Sequence, residues 1–188
     1  MTPISDRERK RIVEDFLDEV LGDLDVDPVL AARLRAALPQ LPANPSLEQV
    51  EAWLELSELV RDPDFRAQIR QLAQSGAAER QQGDAPDVDA LQRAAVLVAE
   101  RGAGALEAGI RPGSREAEAV VEEIVEAFGG GEGAAEDPAF RAQLAERFEQ
   151  GADPRAERYW QLLAVINGWP PVPSTMAAWR WTIDALRA

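Results

Sequence analysis

The stretch "SLEQVEAWLELSELVRDPDFRAQIR", Ser46 to Arg70, carries the signals that decide the fold. Ser46 is followed three residues later by Gln49, a spacing that predicts a capping box and hence the start of a helix. Asp62-Pro63 predicts a second start, because the aspartate can cap free backbone amides and proline suits the first helical position. The stretch therefore predicts two consecutive amphipathic helices.

The same start signals recur along the whole chain. Ser5 with Glu8 fits a second capping box, and the Asp-Pro start returns at Asp27, Asp137 and Asp153. Further candidate N-caps are Asp87, Ser114 and Ser174, and candidate C-terminal glycines are Gly22, Gly76, Gly129, Gly151 and Gly168. Period-2 alternation is not found over any useful length. The sequence predicts an all-α fold of about nine helices.

Two stretches resemble copies of one another. "DPDFRAQI", Asp62 to Ile69, matches "DPAFRAQL", Asp137 to Leu144, and each follows a capped apolar helix. One interpretation is that Asp-Pro-x-Phe is merely a good helix start. The interpretation we favour is an internal repeat, 46–81 and 114–151, within a single all-helical ligand-binding domain, 1–188. It predicts two similar helical halves packed around an aromatic cleft, since such seams are common ligand sites.

The composition excludes several classes of function. The chain has no cysteine and no histidine, which removes disulfides, thiolate catalysis and any Ser-His-Asp triad. No catalytic residue, metal site or cofactor is predicted, and we expect no enzyme. A net charge of -14 repels the phosphate backbones of nucleic acids, so we expect no direct nucleic-acid binding. No apolar run approaches the length of a membrane span, and we expect a cytoplasmic protein, monomeric or homodimeric.

Three of the five tryptophans lie in "NGWPPVPSTMAAWRW", Asn167 to Trp181. Trp169 begins a proline-rich segment that helices avoid. In the last helix, Trp179 shares a face with residues spaced for burial, whereas Trp181 lies on the opposite face. We predict that Trp181 packs against the helix from Ser5 to Leu21, which offers Phe16 as a partner.

A second feature is an acidic stripe on the helix that contains Trp53. It consists of Glu48, Glu51, Glu55 and Glu58. Such a face is solvated, paired with arginines, or used to attract a cation. A hydrophobic or cationic small molecule is therefore the expected partner, with neutral or cationic ligands preferred to anionic ones.

The stretch Ser46 to Arg70 and the C-terminal "RYWQLLAVINGWPPVPSTMAAWRWTIDALRA" resemble the effector-binding regions of MerR-family transcriptional regulators. The resemblance implies an all-helical, antibiotic-sensing region that holds its ligand in an aromatic groove. The ligand-binding positions it implies are Trp53, Tyr159, Trp160, Trp169 and Trp179.

The resemblance is incomplete, because the winged helix-turn-helix of such regulators does not precede Ser5 in this sequence. We therefore expect either a sensor region separate from its DNA-binding domain or a stand-alone protein that sequesters its drug. The alternative is an acidic helical module for protein interaction, which would dock through its acidic helices and the Trp181 face.

Overall fold

The structure, a computed structural model, describes residues 5–83, 88–131 and 133–188. Over these ranges it contains nine α-helices and no β-strand, which confirms the predicted all-α fold. The helices are α1 (Asp6–Leu21), α2 (Pro28–Ala36), α3 (Leu47–Leu59), α4 (Pro63–Gln82), α5 (Val88–Glu107), α6 (Arg115–Ala127), α7 (Pro138–Gly151), α8 (Pro154–Asn167) and α9 (Met176–Arg187). None of these helices is long and apolar enough to cross a membrane.

Most of the predicted helix starts are present. At α3 the Ser46 hydroxyl accepts the Gln49 N–H at 3.1 Å, and the Gln49 side chain accepts the Ser46 N–H at 3.0 Å. A matching box formed by Ser5 and Glu8 begins α1. Side-chain caps also begin four other helices, at Asp27, Asp62, Ser114 and Asp137. Asp87 lies outside the described residues.

Two predicted boundaries are wrong. Thr175, and not Ser174, occupies the N-cap position of α9. Gly76 does not end a helix, because α4 continues to Gln82 and stops at Gly83, whose φ of 79° is left-handed. A single glycine costs a helix interior only about 1 kcal/mol, which the rest of a 20-residue helix can offset. Of the other predicted stops, Gly129 and Gly168 have the positive φ of a left-handed residue, which is typical after a helix C-terminus. The remaining two, Gly22 and Gly151, do not have a positive φ.

The chain divides into two compact units. The first consists of α1 to α4 with α8, and the second of α5 to α7 with α9. The first copy of the repeated motif therefore belongs to the first unit, as part of α3 and α4, and the second copy belongs to the second unit. The helix after each copy belongs to the other unit. Helix α5 follows the first copy but belongs to the second unit, whereas α8 follows the second copy but packs on α3 in the first unit. Gene duplication and the aromatic cleft between halves stay predictions.

The core of the first unit is built by α1, α3, α4 and α8. Helix α1 buries one continuous face against α4, and α3 packs along α8. The buried residues of this core are Val13, Phe16, Leu17, Val20, Leu21, Ala37, Ala52, Trp53, Leu56, Val60, Phe65, Tyr159, Leu162, Leu163 and Ile166. Three aromatic rings thus lie at the junction of α1, α4 and α8.

The core of the second unit surrounds α9, which packs on α5, α6 and α7. Trp181 is only 4% exposed, and its indole N–H donates to the Ile110 carbonyl oxygen at 2.8 Å. The prediction that Trp181 packs against the helix from Ser5 to Leu21 is therefore wrong. The reason is that α9 is buried on both faces within its own unit, while Phe16 of α1 contacts Phe65 and Tyr159. An exposed Trp181 face for docking a partner protein is wrong for the same reason.

The arginine of the repeated motif has the same role in both units. Arg66 donates from Nε to the Val60 carbonyl at the end of α3, at 2.6 Å. Arg141 donates to two carbonyls at the end of α9, those of Ala185 at 2.6 Å and Leu186 at 3.1 Å. The last carbonyls of a helix have no intrahelical partner. Each arginine therefore satisfies the C-terminus of a helix in its own unit.

Gly102 on α5 lies where α9 approaches most closely. A Cβ at this position would lie 2.6 Å from the Ala178 carbonyl oxygen and 2.9 Å from its Cα. Because both are backbone atoms, α9 would have to shift. We expect Gly102→Ala to lower the free energy of unfolding by about 1–3 kcal/mol, the usual cost of overpacking. Urea denaturation measures the change.

Gly104, two residues later on α5, provides the control. A Cβ there would meet no atom of the described residues within 4 Å. Gly104→Ala should therefore raise the free energy of unfolding by roughly 0.5–1 kcal/mol, because alanine loses less backbone entropy in a helix. If both substitutions stabilise the protein, the close approach of α5 and α9 is contradicted.

Candidate functional site

Four aromatic side chains of the first unit form a continuous row. Phe65 stacks on Phe16 with ring centroids 5.8 Å apart and an interplanar angle of 13°. Phe16 contacts Tyr159 at 6.1 Å, and Tyr159 meets Trp160 edge to face at 5.6 Å. We call these four residues the aromatic row.

The aromatic row lines an apolar cavity of about 90 Å³ within the first unit. Its walls come from α1, α2, α4 and α8, and the ten lining residues are all uncharged: Phe16, Leu17, Val20, Leu21, Leu34, Phe65, Ile69, Ala156, Tyr159 and Trp160. Trp160 is the most exposed of these lining residues, at 38%. Ligand sites of proteins share this apolar, aromatic lining.

Helical spacing explains why these side chains converge. Phe16 and Val20 are four residues apart on α1, and Phe65 and Ile69 are four apart on α4, so each pair projects from one side of its helix. Tyr159 is three residues after Ala156 on α8, and the small Ala156 side chain leaves space beside it. The cavity is the space that these side chains leave unfilled where α1, α2, α4 and α8 meet.

Two arginines lie over the rings of the two phenylalanines. The guanidinium carbon of Arg66 lies 5.9 Å from the Phe16 ring centroid, and that of Arg155 lies 5.6 Å from the Phe65 centroid. Arg66 is anchored by the Val60 carbonyl and by Glu19, whereas Arg155 donates to the Gln68 side chain at 2.5 Å. Cation–π contacts of this type stabilise the positions of the rings.

The lining residues carry two polar side-chain atoms, the indole nitrogen of Trp160 and the hydroxyl oxygen of Tyr159. The Tyr159 side chain is 5% exposed, and within the described part of the chain its oxygen has no hydrogen-bond partner. Burial raises the pKa of this phenol above its usual value, because the phenolate would lose its hydration. The group is therefore neutral at physiological pH and can both donate and accept a hydrogen bond.

The structure gives the five sequence-predicted site residues different surroundings. Tyr159 and Trp160 line the cavity together. Trp53 is buried in the core of the first unit, and Trp169 is 44% exposed where the proline-rich segment begins. Trp179 belongs to the second unit, where it meets Phe148 edge to face at 5.0 Å. The described cavity thus brings together two of the five.

Sequence reasoning missed Phe16 and Phe65 as cavity residues. Phe65 belongs to the repeated motif, and its counterpart in the second copy, Phe140, is only partly buried. The available signal was the apolar face of α1, which must pack against another helix. The sequence does not specify which helix that is, because Phe16 and Tyr159 are separated by most of the chain.

The acidic stripe of α3 is exposed to solvent, which is the first of the three alternatives predicted for it. One of its members is also paired: Arg158 donates to both carboxylate oxygens of Glu55, each at 2.6 Å. This hydrogen bonding lowers the pKa of Glu55. Because both side chains are about half exposed, the pair contributes little to stability.

A larger groove of about 710 Å³ lies between α1 and α2, but its walls are of a different kind. Arginines and carboxylates alternate along it, and Arg11 with Asp15 and Arg35 with Asp18 approach within 3.8 Å. Charges that face each other at solvent-exposed positions offer no net field for a ligand. The cavity lined by the aromatic row is therefore the better candidate for a ligand site, although its volume is smaller.

No group of three or more metal-ligating side chains occurs among the described residues. Comparison with protein-family models, curated proteins and solved structures gives no match to this chain.

Proposed function

We propose that this protein binds a small organic molecule by enclosing one apolar group of it in the cavity lined by the aromatic row. The observation that carries the proposal is that four aromatic residues from three helices line one uncharged cavity within one unit. Cores are normally packed to the density of organic crystals, so space beside four large rings is unusual. An apolar group entering it gains contacts that the rings otherwise lack.

The volume limits which ligands fit. About 90 Å³ is less than the ~150 Å³ of an engineered cavity that admits benzene, and well below the range of drug-sized sites. The bulky drug implied by the MerR resemblance cannot be enclosed whole. A ligand would insert part of a ring or a short alkyl group, and the rest of it would lie outside, against the exposed part of Trp160.

Binding of this kind serves either a sensor or a sequestering protein. The MerR resemblance stays a prediction, and the proposal does not depend on it. A sensor changes conformation because its ligand binds two states unequally, whereas sequestration requires only high affinity. Hydrogen exchange in helices away from the cavity, with and without ligand, separates the two roles.

Toluene is a suitable first probe because it is a single uncharged ring. We expect it to raise the unfolding midpoint by mass action and to change the tryptophan fluorescence. Trp160→Ala should lower the affinity for toluene several-fold while costing less stability than the loss of a fully buried aromatic, about 3–5 kcal/mol, since Trp160 is half-buried.

Trp169→Ala is the matched control, since Trp169 is exposed to a similar degree but does not line the cavity. It should leave the affinity for toluene unchanged. Equal loss of affinity in both variants, or toluene binding that neither variant affects, would place the ligand elsewhere and contradict the proposal.

A further inference from the structure

The volume of the cavity limits which group it can enclose. About 90 Å³ accommodates roughly three groups the size of a methylene, since a water molecule, which is of similar size, occupies ~30 Å³ of the liquid. A benzene ring has six carbon atoms and exceeds this volume, whereas a chain of three carbons fills it. The cavity therefore matches a short chain more closely than a ring.

The chemistry of the walls also suits a chain. Six of the ten lining residues are aliphatic, and they come from four helices: Leu17, Val20, Leu21, Leu34, Ile69 and Ala156. Methylene groups gain dispersion contacts with aliphatic and aromatic walls alike. An ionised group would lose its hydration without gaining a charged partner, because no lining residue is charged. The group that fits is therefore apolar as well as small.

Trp160 provides a surface for the part of the ligand that remains outside. This residue lines the cavity, yet 38% of it is exposed, more than of any other lining residue. Indole rings attract other flat rings, which prefer an offset stacked or edge-to-face arrangement. A flat body that carries the chain can thus contact Trp160 while the chain is enclosed.

We infer that the ligand is a ring-containing molecule with an unbranched alkyl side chain of about three carbons, and that the cavity encloses the side chain rather than the whole ring. This inference rests on the proposed function and adds the class of ligand. The site should then be selective for chain length. Each CH₂ group that enters the cavity should raise the affinity about fourfold, which corresponds to ~0.8 kcal/mol, until the space is filled.

Two isomers with the same number of carbon atoms are matched probes for the wild type. Propylbenzene carries three carbons in one chain, whereas 1,3,5-trimethylbenzene carries them as separate methyl groups on the same ring. Only one methyl group of the second isomer can enter, so propylbenzene should bind roughly tenfold more tightly, the value of two further enclosed CH₂ groups. Titration followed by tryptophan fluorescence measures both affinities. A hydrophobic surface without the cavity would bind the two isomers equally.

The chain length at which the affinity stops rising is a second measurement. From toluene to pentylbenzene, the affinity should rise as far as propylbenzene and then change less than about twofold for each added carbon. Ile69→Ala enlarges the cavity and should move this limit by about one or two carbons. Ile12→Ala is the matched control, because Ile12 is also a half-buried isoleucine of the same core but does not line the cavity.

The outcomes separate the inference from the proposed function. If the two isomers bind the wild type equally, or if Ile12→Ala moves the length limit as far as Ile69→Ala does, the inference fails. The proposed function stands in that case, provided that Trp160→Ala weakens toluene binding. If no alkylbenzene binds the wild type, the proposed function fails and the inference with it.

Discussion

Trp181→Ala is expected to lower the free energy of unfolding by about 3–5 kcal/mol, the usual cost of truncating a buried aromatic residue. The indole is 4% exposed in the core of the second unit, so its removal leaves a cavity between α9 and the helices around it. It also removes the hydrogen bond to the Ile110 carbonyl. Chemical denaturation followed by circular dichroism measures the loss.

Trp181→Phe tests the contribution of the hydrogen bond, and Trp169→Ala is the control at an exposed tryptophan. Trp181→Phe retains an aromatic ring but leaves the Ile110 carbonyl without its donor, which should cost about 1–3 kcal/mol. Trp169→Ala removes a half-exposed indole and should cost less than Trp181→Ala. Equal losses for the two alanine variants would show that Trp181 is not the buried anchor described here.

Phe65→Ala has the second large effect, again about 3–5 kcal/mol of lost stability, because Phe65 is 1% exposed and stacks on Phe16. This substitution also enlarges the cavity. A two-ring molecule such as naphthalene should then bind the variant more tightly than the wild type and restore part of the lost stability by mass action. Thermal unfolding with and without naphthalene measures both effects.

Phe140→Ala is the control for Phe65→Ala, because the two phenylalanines occupy the same position of the repeated motif. Phe140 is only partly buried in the second unit, so its loss should cost less stability, and naphthalene should not restore it. If naphthalene stabilises the two variants equally, the space beside Phe65 is not a ligand cavity.

The helix starts could be predicted from the sequence because capping is local. The capping box at Ser46 and the cap at Asp62 involve atoms within three residues of each other, so spacing alone specifies them. Gly76 shows the limit of such signals: a glycine can end a helix, but the flanking residues decide whether it does. The all-α fold follows from many such local signals acting together.

The partners of the aromatic side chains could not be predicted in the same way. Helical periodicity correctly places Trp179 and Trp181 on different faces, yet it does not show that both faces of α9 are covered within one unit. Tyr159 and Trp160 were predicted as site residues, but their neighbours Phe16 and Phe65 come from distant parts of the chain. Contacts over such separations depend on the packing of whole helices.

The central claim is that the aromatic row encloses a ligand group, and anomalous diffraction tests it most directly. A crystal soaked in bromophenol supplies one ring, one hydroxyl and a bromine atom that marks the position of the ring. We predict a bromine peak in the first unit, with the ring among Phe16, Phe65 and Trp160. A bromine peak found only at other surfaces, in crystals of protein that binds bromophenol in solution, would contradict the account.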